Sequence, residues 1–258
     1  MAAAFAKLSE LMMLPFPRSV LALTVFLTAA LGQTHPVSPL GSENLTYGVE
    51  WRMIRAGEGK LSFENSGGVV KARFHLFSSG LISRLFKVND VYDATMSDRL
   101  CAKSVRLEAE EGSKKRLTTI NWSKNWSQYV EKDLVKGVIA TQKQLEVPAC
   151  VHEVLGALAE LRTRRLEPGQ NTTIPISDGK KFAQARVEAQ EREKIKTPAG
   201  TFNTIRNEAF LFNDVLYKRS ARLFIWFSDD NRRLPVQIQV RMRFHIGTVT
   251  LQLDKVER

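Results

Sequence analysis

The sequence predicts a mainly β protein, a single curved antiparallel sheet or open β-barrel covered by one helix of about residues 151–165. Three observations lead there. Several stretches alternate apolar and polar residues with the period of a half-buried strand, as Leu45, Tyr47, Val49, Trp51 and Met53 do against Thr46, Gly48, Glu50 and Arg52. Turn residues separate those stretches. Only one segment carries a clear helical stripe: Val151, Val154, Leu155, Leu158 and Leu161 share a face, while His152, Glu153 and Glu160 fall on others. A lone amphipathic helix must bury that stripe, and a sheet built from its flanks is the natural partner.

In chain order, residues 33–42 with Pro36, Pro39 and Gly41 read as a flexible lead-in, and 43–258 as one β-rich domain. After the first strand, Ala56-Gly57-Glu58-Gly59 is expected to turn the chain into a strand at Lys60–Glu64. Val70, Ala72, Phe74 and Leu76 alternate with Lys71, Arg73 and His75 in a third. Gly80–Lys87 reads as a short helix or turn, followed by extended segments at Tyr92–Met96, Ser104–Glu111, Leu117–Trp122, Ser127–Val130 and Lys136–Gln144. Pro148 and Pro168-Gly169 bracket the helix, with Arg162, Arg164 and Arg165 at its negative C-terminal end. Residues 183–194 set high helix propensity against strand-like alternation of Ala185, Val187 and Ala189. Strand is expected, because Thr197-Pro198-Ala199-Gly200 then turns into the β-rich Phe202–Phe212. Leu223–Phe227 is apolar on both faces, Ser228–Asn231 has turn chemistry, and Val236–Phe244 and Val249–Leu253 alternate again.

Composition sets the class. Hydrophobic content of 43% and charged content of 25% are globular values. Lys7 and Arg18, the apolar run Val20–Leu31 and the small residues Ala30 and Gly32 read as a signal peptide over 1–32, cleaved near Gly32, with a retained N-terminal anchor as the alternative. A periplasmic or secreted protein without a stable membrane span after cleavage is expected. In an oxidising compartment Cys101 and Cys150 form a disulfide closing about fifty residues; two buried thiols are the alternative. A net charge of +11, of which +10 remains once Lys7, Glu10 and Arg18 are gone, favours anionic partners. Outside the cytoplasm those are a lipid or another anionic envelope component rather than nucleic acid; a merely solubilising basic surface is the alternative. Oligomeric state is not encoded legibly.

No motif carries catalytic chemistry, so no enzyme activity, cofactor or metal is expected. His152-Glu153 begins like a zinc-protease helix, but Gly156 occupies the position of the second histidine. His35, His75 and His245 lack ligand spacing, and Asp229-Asp230 fits a turn better than a carboxylate centre. Asn44, Asn121, Asn125 and Asn171 begin sequons that matter only in a glycosylating host. Arg52, Lys71, Arg73, Arg241 and Arg243 form a basic surface stripe if their strands are neighbours, and scattered solvated charges otherwise. Trp51, Phe74, Phe210, Phe224, Trp226 and Phe244, with Leu155 and Leu158 of the helix, are the expected lining of a concave ligand cavity. Phe212 belongs with those aromatics. Simple core packing is the alternative.

Several stretches together resemble an exported bacterial family catalogued as domain of unknown function 3108. They are Leu45-Thr46-Tyr47 with Trp51, Phe86-Lys87-Val88 with Asp90, and Val147-Pro148 through Arg162. Further on come Thr197-Pro198-Ala199-Gly200-Thr201-Phe202, Trp226 with Ser228 and Asp229, Leu234-Pro235-Val236, and Gly247. The resemblance spans about Leu45–Lys255. It implies a leader and an antiparallel sheet similar to the open barrels of periplasmic lipoprotein carriers, where a helix covers a hydrophobic concave face. It implies no catalytic residues, and a cysteine pair recurring in a subset of the family favours the disulfide. The functional expectation is an exported protein that binds a lipid or other hydrophobic ligand on its concave side. The alternative is a structural or interaction module of the cell envelope, for a glycan or protein partner, with a dry core.

Overall fold

The computed structural model describes residues 41–243 and 247–257. The expected signal peptide and nearly all of the lead-in therefore lie outside the described residues. The first half of the chain contributes β1 (Glu43–Trp51), β2 (Ile54–Ser66), β3 (Val69–Ser78), helix α1 (Gly80–Leu85), β4 (Val88–Ser97), β5 (Ala102–Glu111), β6 (Lys114–Ser123), β7 (Trp126–Asp133) and β8 (Val138–Glu146). After helix α2 (Val154–Thr163) come β9 (Asn171–Ser177), β10 (Phe182–Thr197), β11 (Gly200–Ala209), β12 (Ala221–Ser228), β13 (Pro235–Met242) and β14 (Thr248–Glu257).

Among the described residues all fourteen strands form one antiparallel sheet in the order β8-β7-β6-β5-β4-β3-β2-β1-β14-β13-β12-β11-β10-β9. Every strand thus pairs with its sequence neighbours, except that first and last strands pair in the middle and β8 and β9 form the two edges. The chain crosses between those edges through α2. Neighbouring strands twist by about 20–25°, so fourteen of them roll the sheet most of the way round an axis. The turn after β9 covers the remaining gap. Gly179, at φ +83°, lies against Ile120 and Tyr129, where an added Cβ would approach Ile120 to 2.6 Å. Ser127 Oγ donates to the Gly179 carbonyl (3.2 Å) and Lys143 Nζ to the Lys180 carbonyl (2.8 Å).

Strand alternation places Leu45, Tyr47, Leu61, Phe63, Phe74 and Leu76 inward, where they join Leu223, Ile225 and Phe227 in one core with Leu155, Leu158 and Leu161 of α2. The helix is shorter than the expected 151–165. Cys150 is tied to Cys101 in a disulfide, and His152 is held extended beside β9, its amide donating to Pro175 (2.9 Å) and its carbonyl accepting from Ser177 (2.9 Å). Glu153 then caps the helix by accepting from the Leu155 (2.8 Å) and Gly156 amides. Gly156 allows α2 to lie close to the sheet: a Cβ there would sit 2.9 Å from Met96 Sδ and 3.1 Å from the Leu100 carbonyl.

At the other end, Arg162 does more than offset the helix dipole. It is buried, paired with the equally buried Glu43 of β1, and donates to the Arg233 (3.1 Å) and Arg232 (3.2 Å) carbonyls.

Residues 183–194 are strand, within β10. The first hairpin, however, turns at Arg52 and Met53 (φ 51° and 66°), not at Ala56–Gly59. Gly57 and Gly59 are strand residues instead: a Cβ at Gly57 would clash with the Phe77 carbonyl at 2.1 Å, and Gly59 makes room for the Phe74 ring. The predicted strand Phe202–Phe212 ends at Ala209, where residues 210–220 turn into the barrel.

Two stability predictions follow from the way α2 is held. Arg162→Ala strands Glu43 in the core and should cost about 3–5 kcal/mol in urea unfolding. Cys101→Ser with Cys150→Ser should cost at most about 4 kcal/mol, on the loop-closure estimate, and leave the fold intact by circular dichroism.

Candidate functional site

The interior divides into two unlike halves. Beneath α2 it is nearly solid: a void of about 50 Å³ remains among Leu155, Leu158, Leu161, Ile174, Val187 and Ile225. Beside α2, against the inner faces of β4–β8, lies a cleft of about 400 Å³. Tyr92, Leu107, Ile120, Tyr129 and Tyr217 form its floor, and Lys143, Lys180, Lys181, Lys218 and Arg219 stand around it with Asp178 as the one acid of the lining.

Sequence positions far apart build this cleft. Tyr92 and Tyr129 are inward residues of β4 and β7; Tyr217 comes from the 210–220 connection, packed on Phe212 with ring centroids 5.5 Å apart. Lys143 comes from β8, Lys218 and Arg219 from the 210–220 connection, and Lys180 and Lys181 from the turn that closes the barrel. Asp178 Oδ1 accepts from the Lys180 (2.9 Å) and Lys181 (2.8 Å) amides, and so shapes that turn. Lys180 Nζ then lies 4.8 Å from the centre of the Tyr129 ring, and Lys181 Nζ donates to the Asp214 carbonyl (2.8 Å).

Five cations and one acid border the cleft, and its floor carries three phenols. Burial raises all three phenols, helped by Glu153 at Tyr92, by Glu131 at Tyr129 and by Asp178 at Tyr217. They stay neutral and act as donors. Tyr92 donates to Glu153 Oε2 (2.8 Å) and Tyr129 to Glu131 Oε2 (2.7 Å), whereas the buried Tyr217 hydroxyl has no protein partner. Glu153, buried at the helix start, is raised by desolvation against the opposing hydrogen bonds of the Leu155 and Gly156 amides and Tyr92. His152 is lowered by burial, and its Nδ1 lies 2.8 Å from the Leu100 carbonyl. These two residues hold α2 in place. Among the described residues no three His, Cys, Asp or Glu side chains gather for a metal ion, and no helix is long and apolar enough to cross a membrane.

The residues expected to line a cavity are dispersed. Leu155 and Leu158 border the small void, and Phe74 is packed in the core. Trp51 is 38% exposed at the end of β1, and Phe210 is half-buried beneath Arg186, whose guanidinium lies 5.8 Å from its ring. Phe224 and Trp226 require correction: they point to the outer face of β12, opposite Leu223, Ile225 and Phe227. Arginines cover Phe224 there, with Arg241, Arg222 and Arg206 at 4.7, 4.8 and 5.7 Å from its ring, and Trp226 packs beside it with ring centroids 6.1 Å apart. Phe244 and His245 lie outside the described residues.

The basic stripe also divides. Lys71 and Arg73 are on β3, four strands from Arg241 on β13, roughly 19 Å at the usual strand spacing. Arg73 pairs with Asp93 (2.8 Å), while Arg52 and Arg243 sit at the turns that end β1 and β13.

The cleft residues Tyr129, Lys180, Lys181 and Tyr217 were not singled out in the sequence. A usable signal was present: the chain has four tyrosines, at 47, 92, 129 and 217, and all are buried. Asp178-Gly179-Lys180-Lys181 is a turn that brings two lysines together.

A rolled antiparallel sheet enclosing one helix, with a basic-rimmed cleft beside it, defines a β-barrel-like protein. The chain belongs to the family described as Protein of unknown function (DUF3108), whose model matches residues 46–254. Among solved structures it is similar to a β-barrel-like protein of domain of unknown function DUF1849 from Brucella abortus, at a TM-score of 0.57 and 9% identity, covering 86% of this chain and 99% of that one. A Bacteroides fragilis protein with a YmcC-like fold is more distant, at a TM-score of 0.37 and 9% identity over 84% of this chain and 95% of that one. No curated protein matches the chain.

One buried carboxyl gives a pH prediction. Asp90, inward on β4, is pushed up to about 7 by burial first and then by Glu111, against the amide of Glu110 that donates to its Oδ1 (3.1 Å). A carboxyl raised in the fold stabilises it only while protonated. Its contribution is therefore full below the ordinary 3.8 and lost as pH rises through about 7. Asp90→Asn, which keeps the accepting oxygen, should gain on wild type in urea midpoint at pH 8 and lose that gain at pH 4; a pH-independent offset would contradict the assignment.

Proposed function

We propose that this is an extracytoplasmic binding protein that holds an amphipathic, anionic small molecule of lipid type in the cleft between α2 and β4–β8. The observation that carries the reading is the cleft itself. Its volume of about 400 Å³ falls in the range of small-molecule sites, and its aromatic and aliphatic floor is bordered by lysines. An acyl or other apolar body would lie along Leu107, Ile120 and Tyr129. Its charged head would meet Lys180 and Lys181, and the Tyr217 hydroxyl supplies a donor that the protein does not use. The disulfide supports an oxidising compartment. The notion of a ligand under the helix gives way to one beside it, since about 50 Å³ leaves no room for a chain there.

The same filled half favours a second reading, an envelope interaction module with a dry core, in which partners meet the exterior. Native mass spectrometry of protein purified without detergent, before and after denaturation, separates the two. The binding reading expects an adduct of lipid mass that is lost on denaturation. It also expects Lys180→Glu with Lys181→Glu to weaken binding of a fluorescent fatty acid by roughly tenfold, while Lys71→Glu on the outer face does not. A bare mass with no fatty-acid binding by wild type would overturn it.

A further inference from the structure

The two ends of the barrel differ in a way that neither the core nor the cleft requires. Strand order is consecutive and antiparallel, so alternate connections fall at the same end. One rim carries the turns at 52–53, 79–87, 112–113, 134–137, 178–181, 210–220 and the β13–β14 connection; the other carries those at 67–68, 98–101, 124–125, 198–199 and 229–234. Among the described residues, the strongly exposed large apolar side chains belong to the first rim, with Trp126 the exception. Met53 is 93% exposed, Leu85 75%, Leu81 69% and Val135 64%, each at or near the tip of a connection. Nothing in the fold needs them there, and leaving them in water forgoes their burial.

Charge accompanies them. Arg52, Arg84, Lys114, Lys136 and Arg243 are exposed on the same connections. Asp133, the acid at the base of the β7–β8 turn, is engaged in shaping it, accepting from the Val135 and Lys136 amides at 2.9 Å. Separate apolar tips, each beside a cation, suit a surface that is soft, apolar below and anionic on top. Trp51, with the Arg52 guanidinium 5.3 Å from its ring, adds an amphipathic ring of the kind that settles at such an interface. A second copy is a poorer fit, because a two-fold contact would set this positive rim against itself.

We propose that this rim docks on an anionic phospholipid bilayer, with the tips of the β1–β2, β3–β4 and β7–β8 connections entering the headgroup layer. Apolar tips supply the insertion and the surrounding arginines and lysines the attraction to lipid phosphate. The inference stands on the rim alone and does not depend on what the cleft holds.

Hydrogen–deuterium exchange of the full chain with phosphatidylcholine vesicles containing about one-third phosphatidylglycerol tests it. Peptides covering 51–54, 80–86 and 134–139 should exchange more slowly with these vesicles than with phosphatidylcholine alone, and those covering 98–101 and 229–234 should not change. Reading peptide by peptide separates the rim from any capture by the apolar run 20–31. Met53→Ser, Leu85→Ser and Val135→Ser together, all at exposed positions, should lower rim-dependent vesicle binding by roughly tenfold. Three results would overturn the proposal: an unprotected rim, protection at the opposite end, or the same protection appearing without lipid as protein concentration rises. A ligand-filled cleft with an unprotected rim would defeat this inference and leave the binding reading intact.

Discussion

The fourteen strands of the described residues, rolled about one axis, enclose more space than their own side chains can fill, and the rest of the structure depends on how that space is occupied. About eight strands make a barrel that inward side chains just fill, while sixteen to eighteen leave a water channel. This sheet lies between those cases. Helix α2 fills one half, the 178–181 turn and the 210–220 connection occupy part of the other, and the cleft is what remains.

That solution makes the fixing of α2 decisive. A ten-residue helix contributes little stability by itself, so its position is set from both ends. Glu153 and the disulfide hold the start, Gly156 lets the middle approach Met96 and Leu100, and Arg162 binds the end to Glu43 and the β12–β13 turn. A buried ion pair is an expensive fastening, but its partners come from β1 and α2, so it forms only when the helix sits correctly in the barrel. The buried polar residues His152 and Glu153 at the start of α2 serve this purpose.

Much of this was legible because burial on one face imposes a period of two. Residues 70–76 read correctly as Val70, Ala72, Phe74 and Leu76 inward, and residues 183–194 read as strand against their helical propensity, since pairing with β9 and β11 outweighs it. What failed depended on neighbours across the sheet. Phe224 and Trp226 look like inner residues until register sets Phe224 between Glu208 and Gln239 and Trp226 between Arg206 and Gln237 on the outer face. Gly57 and Gly59 look like a turn until β3 is laid beside them. The cleft was the least legible feature, for its tyrosines and lysines come from β4, β7, β8 and two connections with no shared local pattern.

The account makes the unfilled space, not the greasy face of the helix, the place where a ligand belongs. A crystal structure of protein purified without detergent tests this most directly. The account predicts elongated density along Leu107, Ile120 and Tyr129, ending in a charged group beside Lys180 and Lys181. Density between α2 and the sheet among Leu158, Ile174 and Ile225, or bound ligand only on the outer face of β12, would contradict it.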